Sequence, residues 1–220
     1  MGISGQSVQA FKRAICIICG SIKRQSNTGV EAQENAMAVQ VIPAWAHTLE
    51  RAIQWAIRHW LLFANGLVLL YGGLPWLSPL AHAAGNHALG NFIFAIYHAF
   101  CHQIPERSFF LFGYQVAFCH RETAMYTTVF IGGLLFGLVR NRIRPVSLRI
   151  GGLLMLPILL DGTTHMIDDL LDIGIRGGGD AIGTPNFWLR MITGGLFAIA
   201  VLIALYPRLD RDLRTIMSPG

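Results

Sequence analysis

Apolar residues collect into long blocks along this chain instead of alternating with polar ones. Residues 61–80, 123–139, 148–160 and 188–206 are runs of Leu, Ile, Val, Phe, Ala and Gly with few charges. A helix needs roughly 20 such residues, at about 1.5 Å each, to cross a hydrocarbon core, and the second and third runs reach that length with their flanks. Lipid offers no partner for backbone N–H or C=O, so the runs predict spanning helices. Gly132, Gly133, Gly137, Gly194 and Gly195 are positions where such helices can pack closely. The first span is expected to end in Pro75, Trp76 and Pro79, with the Trp at the interface.

Residues 43–60 follow another pattern. Leu49, Ile53, Trp55, Ile57 and Trp60 interleave with Glu50, Arg51, Gln54 and Arg58, which predicts an amphipathic helix in the membrane surface leading into the first span. Residues 89–102 form an apolar run of about 14, a length that suits a re-entrant or interfacial helix better than a crossing. Arginine placement decides the topology. Arg140, Arg142, Arg144 and Arg149 crowd one loop, and Arg208, Arg211 and Arg214 the C-terminal tail; both belong in the cytoplasm by the basic bias of that side. If Arg51 and Arg58 are cytoplasmic too, an even number of spans precedes the Arg-rich loop and 89–102 does not cross.

The expected fold is therefore all-α, a polytopic membrane helix bundle of four full spans plus one short, partly inserted helix, with both termini cytoplasmic. Five spans with the N-terminus outside is the alternative. Segments 101–122 and 165–190 then face the extracytoplasmic side. Residues 1–42 read as a disordered or surface-bound N-terminal segment, 43–209 as the bundle and 210–220 as a cytoplasmic tail.

Composition agrees, with 53% hydrophobic and 13% charged residues against about 25% charged in an average soluble domain. The net charge of +5 does not call for nucleic acid, because the arginines flank apolar blocks and form no stripe on a soluble face. Cys16, Cys19, Cys101 and Cys119 are too few for a disulfide scaffold. The apolar run 14–19 is too short for a signal-peptide core. Translation from Met37 is an alternative start, which leaves the Cys16/Cys19 pair little weight.

Candidate chemistry concentrates in two distant pieces of chain. His98, Cys101 and His102 share a helix face by their spacing, and imidazole and thiolate are preferred ligands of zinc and related ions. Pro105 stops that helix. The aromatic stretch 108–118 about Gly113 predicts a small hairpin that returns Cys119 and His120 to Cys101 and His102. Glu122 follows Cys119 at a spacing that puts both on one metal; a first-turn acid favoured by the helix dipole is the equal alternative.

In the second piece, Asp161, His165 and Asp168 or Asp169 form one helical stripe. An Asp near the bilayer centre costs about 2.5 to 3.5 kcal/mol on insertion scales, which makes Asp161 the leading functional residue. Its structural alternative is an ion pair with Arg190, Arg107 or Arg121. The glycine-rich stretch 172–186 lacks the order of a phosphate-binding loop and reads as a mobile loop over the site. His47, His59, His82 and His87 read as interfacial residues that titrate in water.

The order Tyr97, Cys101-His102-Gln103, Pro105-Glu106-Arg107-Ser108-Phe109, Gly113, Gln115, Cys119, Arg121 and Tyr126 resembles the signature of a family of prokaryotic membrane proteins, the domain of unknown function numbered two thousand and eighty-five. Asp161-Gly162, Leu189-Arg190 and Thr193-Gly194 are similar to that family's later motif. The resemblance covers residues 61–206 and implies the multi-span fold and the sites, not an activity. Many members carry a second Cys where Glu122 stands; that change is tolerable for a zinc ligand but not for a disulfide.

The leading functional reading is a metal-dependent membrane enzyme. Cys101, His102, Cys119 and His165 hold zinc or another divalent transition metal, and Asp161 or Glu122 acts as base towards a metal-bound water. Arg107, Arg121, Arg190 and Tyr126 bind a lipid-like substrate that enters from the bilayer. The alternative is a structural or accessory subunit of a membrane complex, pinned by a metal or a Cys101–Cys119 disulfide. A third reading is ion or proton transport along the Asp161 stripe, against which stands the lack of an internal repeat. No GxSxG or HExxH occurs.

Overall fold

The structure is a computed structural model that describes residues 44–217; the readings made for the N-terminal segment and its Cys16/Cys19 pair lie outside them. Two compact units are present. The first contains α1 (Ala44–Arg58), which carries Trp45, Leu49 and Ile53 at one-turn spacing, all exposed. The second, Trp60–Asp212, is the helix bundle.

Four helical segments of the described chain are long and apolar enough to cross a bilayer. They are α2 (Trp60–Ala83), α4 (His120–Val139), α5 (Leu148–Leu171) and the run Pro185–Met217, composed of α6 (Pro185–Ala200), a π-helical turn (Val201–Leu205) and α7 (Tyr206–Met217). Between α2 and α4 lies α3 (His87–His98), whose 12 residues are too short to cross. The spans are longer than the apolar blocks alone suggested, and α2 runs through both Pro75 and Pro79. Proline at position 75 removes the N–H that would bond the Tyr71 carbonyl. That carbonyl instead accepts a 2.7 Å hydrogen bond from the Tyr97 hydroxyl of α3, so the helix continues with its lost bond replaced.

After α3 a 3₁₀ turn (Pro105–Arg107) leads into an antiparallel hairpin of β1 (Ser108–Leu111) and β2 (Tyr114–Cys119). Its turn is Phe112-Gly113, with φ of 54° and 81°, the left-handed pair that matches the twist of a two-residue hairpin. Leu111 faces Tyr114, Phe110 faces Gln115 and Ser108 faces Cys119, with an irregularity between Ser108 and Phe110. Val116, Ala117 and Phe118 of β2 are fully buried against Ile93, Tyr97 and Cys101, with Tyr71 and Tyr126 packed alongside. The hairpin is thus wedged into one end of the bundle, not hung from it.

Small residues set how closely α4 and α6 approach. A Cβ on Gly194 would lie 2.5 Å from the backbone oxygen of Arg121, whereas one on Gly195 would come no nearer than 4.0 Å to Thr128. Gly133 of α4 faces Asn65 of α2 in the same way, with the Asn65 Oδ1 only 2.1 Å from the Cβ position. At the other end of the bundle Asp210 accepts from the Trp60 indole at 3.0 Å and from Arg140 at 2.6 Å, joining α2, α4 and α7.

The connection between α5 and α6, expected as a mobile loop, is tied down along its length. Asp168 accepts from the backbone N–H of Ile175 at 2.7 Å and of Arg176 at 3.1 Å. The Asn186 amide donates to the carbonyls of Arg176 and Gly179. Asp180 takes Arg107 Nε at 2.6 Å and Arg190 Nη1 at 2.7 Å. Burial by itself would raise the Asp180 pKa, but the guanidiniums of Arg190 and Arg107 outweigh it and hold the carboxyl at about 2. The glycines supply turns; the charges among them supply anchors.

Two outcomes are expected. Gly194→Ala should lower the unfolding temperature in detergent, by an amount equivalent to about 1 to 3 kcal/mol of overpacking, while Gly195→Ala leaves it nearly unchanged. Because the folded-state pKa of Asp180 lies below its ordinary value of 3.8, its stabilisation is complete above that value and is lost as pH falls through about 2. The melting-temperature gap between wild type and Asp180→Asn should therefore stay constant from neutrality down to roughly pH 5 and close under stronger acid.

Candidate functional site

Gln103 builds the site, although its own side chain does no chemistry there. It is buried with φ of 52°, a left-handed conformation uncommon outside glycine. Its amide donates to the carbonyl of Phe94 at 2.8 Å and of Ala117 at 3.3 Å, while its own carbonyl accepts from Gln115 at 2.7 Å. Gln115 also donates to the Ser108 hydroxyl at 3.0 Å. These bonds lash the chain just after α3 to both strands of the hairpin, which brings Cys101 beside Cys119.

Cys119 is the N-cap of α4. Its side chain accepts from the Glu122 backbone N–H, and the Glu122 carboxylate accepts from the Cys119 backbone N–H at 3.4 Å. This is a capping box with a thiol in place of the usual hydroxyl. The neighbouring Cys101 lowers the Cys119 pKa against the opposing effect of burial, while Cys119 and burial push the Cys101 thiol up. The position at a helix N-terminus also favours a Cys119 thiolate. The two sulfurs and a Glu122 oxygen all lie within 4.8 Å of one another. Donors around one tetrahedral zinc stand roughly 3.3 to 3.8 Å apart, somewhat inside that limit.

All three donors line a cavity of about 660 Å³. Arg107, Arg121, Arg190 and His165 line it too, with Phe100, Ile104, Met166 and Leu170 among the apolar residues. The arginines are held by carboxylates. Arg107 is bidentate on Asp169, both bonds at 2.6 Å, which with Asp180 keeps its pKa above the ordinary value despite burial. Arg190 reaches Asp180, and its Nη2 stands 3.2 Å from the His165 ring nitrogens.

Asp161 lies outside the cavity lining and only 4% exposed. It takes Arg121 at 2.6 Å, Arg176 at 2.9 Å and the Thr193 hydroxyl at 3.2 Å, with His165 at 3.8 Å. Among the pairings expected for it, the one with Arg121 is formed; Arg176 was not foreseen, and Arg107 and Arg190 go to other aspartates.

The residues singled out from the sequence thus do not form one cluster. Cys101, Cys119 and Glu122 converge, whereas His102 lines the cavity from an exposed position. His165 is buried with Arg190 and Asp161. His120, which follows Cys119 as His102 follows Cys101, is fully buried with Phe109 and Phe187 set edge-on at ring distances of 4.5 and 4.8 Å. Tyr126 belongs to an aromatic cluster, stacked on Phe118 at 5.3 Å and edge-on to Tyr71 at 5.0 Å. Sequence reasoning placed Gln103 and Gln115 in the family signature without giving them a role, and assigned none to Arg176 and Asp180. Charged residues standing among the glycines of the α5–α6 connection were the one signal for the last two.

The family model described as Predicted membrane protein (DUF2085) matches residues 101–204, the stretch from the first of the paired thiols to the π-helical turn. The chain is also 30% identical over 119 residues to Uncharacterized protein MJ1492 of Methanocaldococcus jannaschii, covering 52% of this chain and 67% of that one. No solved structure matches it. With four helices able to span a bilayer, and with the thiol pair and the arginine-lined cavity inside the matched stretch, the chain belongs to this family of multi-pass membrane proteins, whose function is unknown.

Proposed function

We propose that Cys101, Cys119 and Glu122 form a three-ligand site for zinc or a similar divalent transition metal, and that the cavity beside it receives a substrate for metal-dependent chemistry. The observation that carries this reading is the convergence of three donors at the wall of a cavity, not in a closed core. Structural zinc sites are closed by four protein ligands, and catalytic ones keep a position open. A metal held there supplies a Lewis acid and a water acidic enough to ionise near neutrality.

The remaining residues take their roles from their contacts. Glu122 serves as ligand instead of base. Asp161 is ion-paired to Arg121 and Arg176 and accepts from Thr193, so it orients Arg121 from behind the cavity. In the topology set by the arginine bias, this end of the bundle faces the extracytoplasmic side. One observation favours the structural alternative: the capping box between Cys119 and Glu122 accounts for both residues as a helix start.

The two readings separate on metal content. Protein purified anaerobically with added zinc should carry about one equivalent by elemental analysis. Cys101→Ser and Cys119→Ser should each drop it to a small fraction, while His102→Ala retains it. A metal-free wild type under those conditions would leave only the structural reading. Asp161→Asn should keep its metal but unfold at a lower temperature, since it leaves Arg121 and Arg176 without their carboxylate, a loss of about 3 kcal/mol for a broken buried pair. An unchanged melting curve with loss of turnover would instead make Asp161 part of the chemistry.

A further inference from the structure

The cavity that holds the three donors opens towards the flank of the bundle. Met166 and Leu170 of α5 and Phe100 after α3 line it, yet these side chains are 62%, 79% and 63% exposed. They form its rim. The 24 residues of α5 measure about 36 Å at 1.5 Å each, against a hydrocarbon core of about 30 Å. Its last turns, which carry Met166 and Leu170, therefore stand where hydrocarbon gives way to head groups. Large apolar side chains exposed at that depth meet lipid, not bulk water.

Behind the apolar rim the lining turns polar, with Arg107, Arg121 and Arg190 beside Asp169 and Glu122. Arg107 is satisfied on both nitrogens by Asp169, and Arg190 is taken by Asp180 and His165. Arg121 is different. It gives Nη2 to Asp161 and its Nε is sealed from the cavity, which leaves Nη1, neither buried nor hydrogen-bonded among the described residues, as its donor towards a ligand. Its Nη1 lies 3.4 Å from where a Cβ on Gly162 would sit, ordinary contact distance, so the guanidinium packs beside that turn of α5. A guanidinium with donors to spare, held from behind by a carboxylate, is pre-set for a planar or tetrahedral oxyanion. At about 660 Å³ the space suits a head group with its tail left outside.

We propose that this cavity binds the head group of an anionic phospholipid, which enters from the bilayer between the end of α5 and residues 100–104 and is recognised by Arg121. This deepens the metal reading by naming the substrate class for the same cavity, but it does not need the ion. Two thiolates and a carboxylate around a divalent cation carry a formal charge of −1, so the arginines, not the metal site, make the cavity attractive to an anion.

The test is native mass spectrometry of the detergent-purified protein with dihexanoyl phosphatidylglycerol, dihexanoyl phosphatidylcholine or inorganic phosphate. One phosphatidylglycerol should bind, at least about tenfold tighter than phosphatidylcholine, which is roughly 1.4 kcal/mol of discrimination. Millimolar phosphate should not displace it. Arg121→Lys keeps a cation opposite Asp161 and should lose most of the preference for the anionic lipid. Met166→Trp, on the exposed rim, should weaken both lipids without shifting the melting temperature. If Arg121→Lys does not fold, the wild-type preference between the two lipids and the response of Met166→Trp decide the outcome. Equal binding of the two lipids, or a folded Arg121→Lys and Met166→Trp that both bind like wild type, overturns the proposal. Displacement by phosphate alone would make this a soluble-anion site and overturn its membrane source. Metal content measured on the same samples keeps the readings apart: selective lipid binding by metal-free protein removes the metal site and leaves the head-group site standing.

Discussion

A carboxylate buried within a membrane-spanning helix must be neutralised, and the arrangement of the hairpin end of this bundle depends on how that is done for Asp161. Hydrocarbon cannot solvate the charge, and leaving it unpaired would cost several kcal/mol. Its partners come from three other parts of the chain: Arg121 from the start of α4, Arg176 from the α5–α6 connection and Thr193 from α6. One residue thereby gathers three spans and a loop at a single depth. Gly194, which lets α6 approach within contact of the Arg121 backbone, makes that gathering sterically possible. The ion pairs and the small-residue contact are two aspects of one interface.

The thiol pair obeys a different constraint. Cys101 and Cys119 lie on either side of a hairpin, and only the burial of β2 against α2 and α3, with Gln103 bonded across, fixes their separation. This explains why a glutamine follows the Cys-His pair and another stands two residues beyond the hairpin glycine: both are backbone fasteners. The cavity forms where the two assemblies meet, with sulfur and Glu122 contributed by the hairpin and the α4 start, and guanidinium contributed by the Asp161 and Asp180 networks. Soft metal-type donors and anion-type donors thus share one space, which is the physical ground for reading it as a site for a charged substrate.

The sequence by itself determined the solvent this protein lives in and which of the described segments are long and apolar enough to cross it. Spanning helices must satisfy their backbone internally and shed their charges, and both demands leave marks at fixed length in the linear pattern, as residues 61–80 and 188–206 show. It also marked the hairpin, because Gly113 between aromatic strands is a local signal. The length of α2 escaped it, since whether a helix survives Pro75 is decided by a remote hydroxyl, that of Tyr97, taking up the freed carbonyl. Tertiary structure alone decided which charges pair. Asp161 with Arg176, Arg107 with Asp169 and Asp180, and the exclusion of His102 from the donor set each join residues far apart in the chain or depend on the direction in which a side chain leaves its element. Periodicity orders neighbours along one helix; it carries no record of which face of a second helix, or which residue of a glycine-rich loop, will close on it.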